Sequence, residues 1–231
     1  MYVLHIANRQ MSSWSLRAWL TLRQGEIPFE LAFHPFDEQG DSFDAFRRFS
    51  PSGRVPCLHD GHQVVWDSLS IVEYLAERHA GVWPADPEAR AWARSACAEM
   101  HSGFLALREQ CPMHCALRVR LHQLSPEVLR DLERLNELFE DGLARFGGPY
   151  LGGGAFSAVD AFFAPIAFRQ QTYDLPMEGQ ARDYLERLGA LPAMQQWQSE
   201  ALEEPHREDH LEANIAATGR ILEDLREDSG C

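Results

Sequence analysis

The chain has 231 residues, 45% of them hydrophobic, enough to bury one large core or two modest cores sharing an interface. Its formal net charge of −14 repels phosphate backbones and anionic lipid headgroups, and no basic cluster offsets it, so neither nucleic acid nor a membrane surface is expected as a partner. No apolar run reaches the roughly eighteen residues of a membrane span, the N-terminal MYVLHIANRQ has none of the segments of a secretory leader, and the five cysteines are odd in number and irregularly spaced; a cytoplasmic protein with reduced thiols is expected.

In chain order, residues 2–7 form a short apolar, β-prone run, and residues 15–24 set Leu16, Trp19, Leu20 and Leu22 in a helical pattern that Gly25 stops. Residues 29–33 read as a second short strand, so the opening is one βαβ unit with a right-handed crossover. The turn-rich Phe49-Ser50-Pro51-Ser52-Gly53-Arg54 leads into two β-prone runs, 55–59 and 62–66, parted by Asp60-Gly61, a hairpin signal. Residues 68–79 carry Leu69, Val72, Leu75 and Ala76 on one helical face, with Ser70 and Glu73 spaced as a capping box. Residues 1–80 therefore read βαβ, loop, ββα.

Beyond the linker 81–86, with its Pro84, the β signal ends. Apolar periodicity predicts helices at 87–110, 125–146, 157–172, 179–188 and 192–202, punctuated by Pro and Gly. The acidic tail from Glu203 spaces Leu211, Ile215, Leu222 and Leu225 along one stripe, as a final helix with a frayed end at Cys231. This change in composition marks a boundary between one domain at 1–80 and another at 87–231, and no internal repeat is present.

Four features stand in one order: Ser12-Ser13-Trp14-Ser15-Leu16-Arg17 before the first helix, Gly53-Arg54-Val55-Pro56 opening the hairpin, Trp66-Asp67-Ser68 heading the next helix, and a helical second half. Singly, each has an ordinary structural reading as a helix cap, a helix start or a solvated surface charge. Together they resemble the cytosolic glutathione transferases. Ser-Ser-x-Ser-x-Arg is most similar to the serine-type zeta branch and to bacterial relatives carrying Ser-Ser-Trp-Ser-Leu-Arg, and the resemblance spans essentially the whole chain.

That resemblance implies an α/β thioredoxin-like N-terminal domain with a mixed sheet, an all-α C-terminal domain, and glutathione as co-substrate. It implies a cis Val55–Pro56 bond that turns the Val55 backbone toward the cysteinyl unit of glutathione, as an added strand would pair. Asp67 is expected to take the γ-glutamyl ammonium, Ser68 and free backbone N–H groups its carboxylate, and Arg54 a carboxylate of the tripeptide. Ser12 is expected to donate a hydrogen bond to the thiolate, with Ser13 as second choice and Ser15 as an N-cap. Lowering a thiol pKa of about 8.5 by about two units takes roughly 2.7 kcal/mol. A charge-assisted bond gives about 1.5 to 3 and a helix N-terminus about 0.3 to 1 kcal/mol, so the two suffice together.

The electrophile pocket is placed between the first helix region and the long helix that opens the second half, lined by Met11, Trp14, His101, Phe104, Leu105 and Arg108. Trp14 stands where zeta isomerases usually carry cysteine, which sets glutathione conjugation ahead of maleylacetoacetate-type cis–trans isomerisation. A non-catalytic binding or regulatory protein of the same fold is the third reading. A homodimer with twofold symmetry is expected from the family.

The remaining motifs read as structure. Ser157 and Asp160 are spaced to cap a helix reciprocally. Gly152-Gly153-Gly154 follows a helix instead of a strand, which argues against a dinucleotide loop, and no Gly-x-Ser-x-Gly elbow is present. Cys111, His114 and Cys115, with His101 and His122 nearby, lack the paired spacing of a zinc site and read as buried thiols and surface histidines; Cys57 reads as a small core residue.

Overall fold

A computed structural model of the chain describes residues 1–37 and 42–226. Its N-terminal half is a four-stranded sheet of order β2-β1-β3-β4, built from β1 (Tyr2–Ile6), β2 (Phe29–Phe33), β3 (Cys57–Asp60) and β4 (Gln63–Val65). β1 and β2 run parallel, with Leu4 opposite Leu31, and are joined by α1 (Ser13–Gln24). β3 returns antiparallel beside β1, with Leu4 opposite Leu58, and turns into β4 through Gly61 (φ +58) and His62.

The two faces of this sheet differ because side chains alternate along each strand. Leu4, Ile6 and Leu58 are fully buried and belong to one continuous core with Leu16 and Leu20 of α1 and Ile71 and Leu75 of α3 (Ser68–Ala76). On the other face His5, His34 and His59 gather on Phe49, with His5 and His34 stacked at 5.1 Å and His34 on the Phe49 ring at 4.0 Å. A short helix, α2 (Phe43–Phe46), carries Phe46 into the same group.

The second half contains α4 (Pro87–Ser102), α5 (Leu105–Gln110), α6 (Pro126–Phe146), α7 (Ala158–Tyr173), α8 (Gly179–Gly189), α9 (Pro192–Leu202) and α10 (Asp209–Thr218). Asp86 and Ser125 cap α4 and α6 by accepting the N–H groups of Ala89 and Val128, and a proline follows each cap where its missing N–H costs nothing. Nearly every residue of α7 is buried, and α1, α4 and α8 all pack against it. Its Phe162, Phe163 and Phe168, with Trp197 of α9, are essentially inaccessible, and each such side chain contributes about 1.5–3 kcal/mol through burial.

Several sequence expectations are corrected. The predicted 87–110 helix breaks at Gly103-Phe104, where Phe104 adopts φ +58. The second half also contains a two-stranded antiparallel ribbon, β5 (Leu117–Leu121) with β6 (Gly219–Asp224), beside its helices. The tail is therefore not one helix: Leu211 and Ile215 lie on α10, whereas Leu222 lies on β6 and is half exposed, and Cys231 lies outside the described residues. Ser70 and Glu73 form no capping box, because Asp67 caps α3 by accepting the Leu69 N–H and Glu73 pairs with Arg94 instead.

Candidate active site

The loop between β1 and α1 determines where the serines sit. The Ser12 N–H bonds to the Asn8 carbonyl at 2.9 Å and the Ser12 carbonyl accepts the Leu16 N–H at 3.1 Å, so Ser12 is the N-cap residue of α1. Ser15, expected as the cap, lies instead within the first turn and is fully buried, because the loop closes on Asn8 and starts the helix sooner. Its Oγ accepts the Ala7 N–H at 3.3 Å and the Ser12 hydroxyl at 2.7 Å. No acidic side chain occupies the first turn of α1, so the positive end of the helix is left for an external anion.

Five of the expected residues meet at one cavity of about 450 Å³: Met11, Ser12, Trp14, Arg54 and Val55. Val55 precedes Pro56 through a cis peptide bond, in agreement with the sequence reading, and Pro56 itself is buried beneath. Arg54 is exposed at the rim. The remaining wall comes from Phe36, Ser42, Phe43, Phe46, Gly53 and Leu211, none of which the sequence singled out for a site. Only Gly53 carried a signal, since it lies in the motif and takes φ +64, with an added Cβ falling 2.5 Å from the Phe43 ring. Leu211 could not have been found, because its position depends on how the tail folds back.

Asp67 and Ser68 head α3, and neither they nor His101 line this cavity. Asp67 Oδ2 lies 3.2 Å from His101 Nε2, and the His101 ring meets the Trp14 indole edge-on at 5.0 Å. Ser68 is fully buried, and its Oγ has no hydrogen-bond partner among the described residues. The Trp14 ring also lies 4.4 Å from the Arg17 guanidinium and 4.9 Å from that of Arg108, both within cation–π range. Arg17 is completely buried between Trp14 and Phe162, none of its guanidinium nitrogens is hydrogen-bonded among the described residues, and burial holds its pKa well below the usual arginine value.

The other expected pocket residues are placed differently. Arg108 donates to the Gly103 carbonyl at 3.0 Å and to the Met100 carbonyl, closing the end of α4 instead of facing the cavity. Phe104 belongs to the buried core, Leu105 is exposed on α5, and Ser13 is buried with its N–H on the Met11 carbonyl, so none of the three lines the cavity. His114 is not at the surface: its ring is fully buried and Nδ1 accepts the Ala116 and Leu117 N–H groups at 3.2 and 3.1 Å. Burial pushes the thiols of Cys57, Cys97, Cys111 and Cys115 up, away from the thiolate form. A larger groove of about 580 Å³ runs between α1, β2 and α9, but its polar lining is Arg23, Glu26, Gln196 and Glu200, with none of the motif residues.

A thioredoxin-like sheet, a serine at the head of α1, a Val55 that shares its cavity and precedes a cis proline, and a helical second half define a transferase-type fold, and comparison with known proteins gives the same answer. The profile of the glutathione S-transferase N-terminal domain matches residues 11–78. Glutathione S-transferase theta-1 of Mus musculus is 30% identical over 169 residues, covering 64% of this chain and 67% of that protein. A probable maleylacetoacetate isomerase of Vibrio cholerae is 27% identical over 201 residues, covering 80% of this chain and 90% of that protein. Among solved structures, a glutathione transferase homolog from Burkholderia with bound glutathione superposes with a TM-score of 0.62 at 24% identity, covering 87% of this chain and 97% of that one. The chain belongs to the glutathione S-transferase family.

Proposed function

We propose that this protein is a glutathione transferase that binds the tripeptide along the Val55 backbone and holds its sulfur as a thiolate beside Ser12, for attack on a small electrophile. The observation that carries this reading is that Ser12, at the uncompensated head of α1, and Val55, just before the cis Pro56, line the same cavity. A thiolate there accepts the Ser12 hydroxyl bond and sits at the positive helix end, two contributions that favour the anion over the thiol. The serine donates a hydrogen bond and forms no covalent bond.

In this reading residues 1–80 supply the glutathione site, with Arg54, Val55, Asp67 and Ser68 as its polar holders, and residues 87–231 complete the electrophile side. The Ser68 side chain is fully buried and outside the cavity lining, so its part in holding the γ-glutamyl carboxylate falls to the backbone N–H groups at the head of α3. Met11, Trp14 and Leu211 form the apolar wall facing the second substrate. The active form is a twofold homodimer in the cytoplasm, as the family leads one to expect, and among the described residues no helix is long and apolar enough to cross a membrane.

Glutathione-dependent isomerisation is the second reading, favoured by the similarity to the Vibrio cholerae isomerase and opposed by Trp14 in place of the cysteine of zeta isomerases. Calorimetry with glutathione separates an enzyme from a scaffold, since a scaffold takes up no tripeptide saturably. Parallel assays with a chlorinated nitrobenzene and with maleylacetone then rank conjugation against isomerisation. Absence of saturable glutathione binding rejects both enzymatic readings.

A further inference from the structure

The Ser12 hydroxyl does not point at an open cavity unattended. It donates to Ser15 Oγ at 2.7 Å, and Ser15 Oγ also accepts the Ala7 N–H at 3.3 Å. Ser15 is fully buried and does not line the cavity, so it cannot touch a ligand directly. A serine oxygen offers one donor and two acceptor sites, and its proton is free to rotate.

We infer that Ser15 is a positioning residue for the reaction, acting through Ser12 by reversing the hydrogen bond between the two hydroxyls when the sulfur arrives. Without ligand the Ser12 proton is directed inward, to Ser15. With a thiolate in the cavity the Ser12 proton turns outward to the sulfur, and the Ser15 proton turns to Ser12 Oγ across the same 2.7 Å separation. The Ala7 N–H continues to donate to Ser15, so the chain runs from the Ala7 N–H through Ser15 and Ser12 to the sulfur. Each hydroxyl then accepts one bond and donates one, and only two O–H rotors move; no proton changes its oxygen.

Two physical consequences follow from such a chain. A hydroxyl that accepts a bond becomes a better donor, so Ser15 strengthens the Ser12 bond to the anion. The Ser15 partner also restricts Ser12 Oγ to one position, so the donor is aligned before the sulfur binds. The burial of Ser15 keeps water from competing for either role.

This inference rests on Ser12 as the thiolate donor, and the test separates the two claims. The pKa of enzyme-bound glutathione is read from its ultraviolet thiolate absorbance against pH in the wild type, Ser12→Ala, Ser15→Ala, Ser15→Thr and the double variant. Ser15→Ala is expected to reduce the thiolate fraction below the pKa by about three- to tenfold, a rise of about half a unit to one unit. Ser15→Thr, which keeps the hydroxyl, restores it to within about twofold. In a Ser12→Ala background, adding Ser15→Ala should produce no further change, the non-additivity of two residues acting through one bond. Should Ser15→Ala not fold, Ser15→Cys, similar in shape and a weaker donor, is expected to show a smaller rise in the same direction.

An unchanged thiol pKa in folded Ser15→Ala or Ser15→Cys, or a Ser15→Ala effect that persists without Ser12, overturns the inference while leaving the Ser12 reading intact. An unchanged pKa in Ser12→Ala overturns both.

Discussion

Gly53 lies at the point where the motif loop meets α2. Its φ of +64 is left-handed, and a methyl group there would fall 2.5 Å from Phe43 Cδ2 and 2.6 Å from Cε2. Both effects oppose any side chain: the left-handed backbone costs a non-glycine residue about 1–2 kcal/mol, and the Phe43 ring must move out of the cavity wall. Gly53→Ala is therefore expected to weaken glutathione binding by roughly tenfold by calorimetry, since about 1.4 kcal/mol is tenfold in affinity. Affinity equal to the wild type would show that neither Gly53 nor Phe43 shapes the site. The motif serines were readable as a group because their order with Val55-Pro56 and Asp67-Ser68 is specific, but their individual roles were not. Whether Ser12 or Ser15 caps α1 depends on the Asn8 carbonyl, which the loop brings within 2.9 Å of the Ser12 N–H, and that closure leaves no local pattern.

Among the elements, α7 depends on one buried carboxylate. Asp160 accepts the Leu151 N–H at 3.0 Å, the Ser157 N–H at 2.8 Å and the Tyr184 hydroxyl at 3.0 Å, so it joins the loop before α7, the helix start and α8. Burial raises its carboxyl to about 6, and these donors oppose that rise. Asp160→Ala leaves three buried donors unpaired at about 1–3 kcal/mol each, and a loss of several kcal/mol is expected in denaturant unfolding. A loss below about 1 kcal/mol would contradict the assignment. The Ser157–Asp160 spacing made this cap legible, as hydrophobic periodicity made β1, α1, β2, α6 and α9 legible.

The first strand of the ribbon, β5, was also written in the sequence. Leu117 and Val119 are buried and alternate with Arg118 and Arg120, a period of two, but the helical context of the second half masked so short a run. β6 was not legible at all: Gly219 passes against the backbone of Arg120, where an added Cβ would lie 2.4 Å from its carbonyl oxygen, and that approach exists only once β5 is in place. Leu222 and Leu225 consequently mimicked a helical stripe.

At the scale of the whole molecule, the C-terminal segment returns to the loop that carries Ser12. Arg226 donates to Gln10 Oε1 at 2.8 Å and to the carboxylates of Glu212 and Asp224, while Leu211, next to Glu212, reaches the cavity. Burial pushes Glu212 up, but the neighbouring His114 ring and Arg226 outweigh it and hold its carboxyl at about 2. Its contribution is therefore lost only as pH falls from the ordinary 4.5 toward 2.

The histidines on the outer sheet face act in a higher window. Burial, then His59 and His34, lower His5 from 6.5 to about 4, and burial lowers His34 as well. Between those limits the unfolded chain holds a proton at His5 that the native one does not, so the His5 contribution to stability falls as pH drops from about 6.5 to about 4, and His34 acts in the same direction. Asp160 has the opposite sign between 3.8 and about 6, so the histidine effect is isolated by difference. His5→Phe is expected to lose less stability than the wild type across this window in denaturant unfolding, and parallel pH profiles would refute the assignment.

The account as a whole depends on the state of one sulfur atom. The decisive measurement is the pKa of the glutathione thiol bound to the intact enzyme, followed by ultraviolet absorbance in the wild type and in Ser12→Ala. The expected result is a thiol about two units below the free value of about 8.5, rising by at least one unit in Ser12→Ala while calorimetric affinity stays within about threefold. A bound thiol that titrates like free glutathione, or a depressed pKa that survives the loss of Ser12, would contradict it.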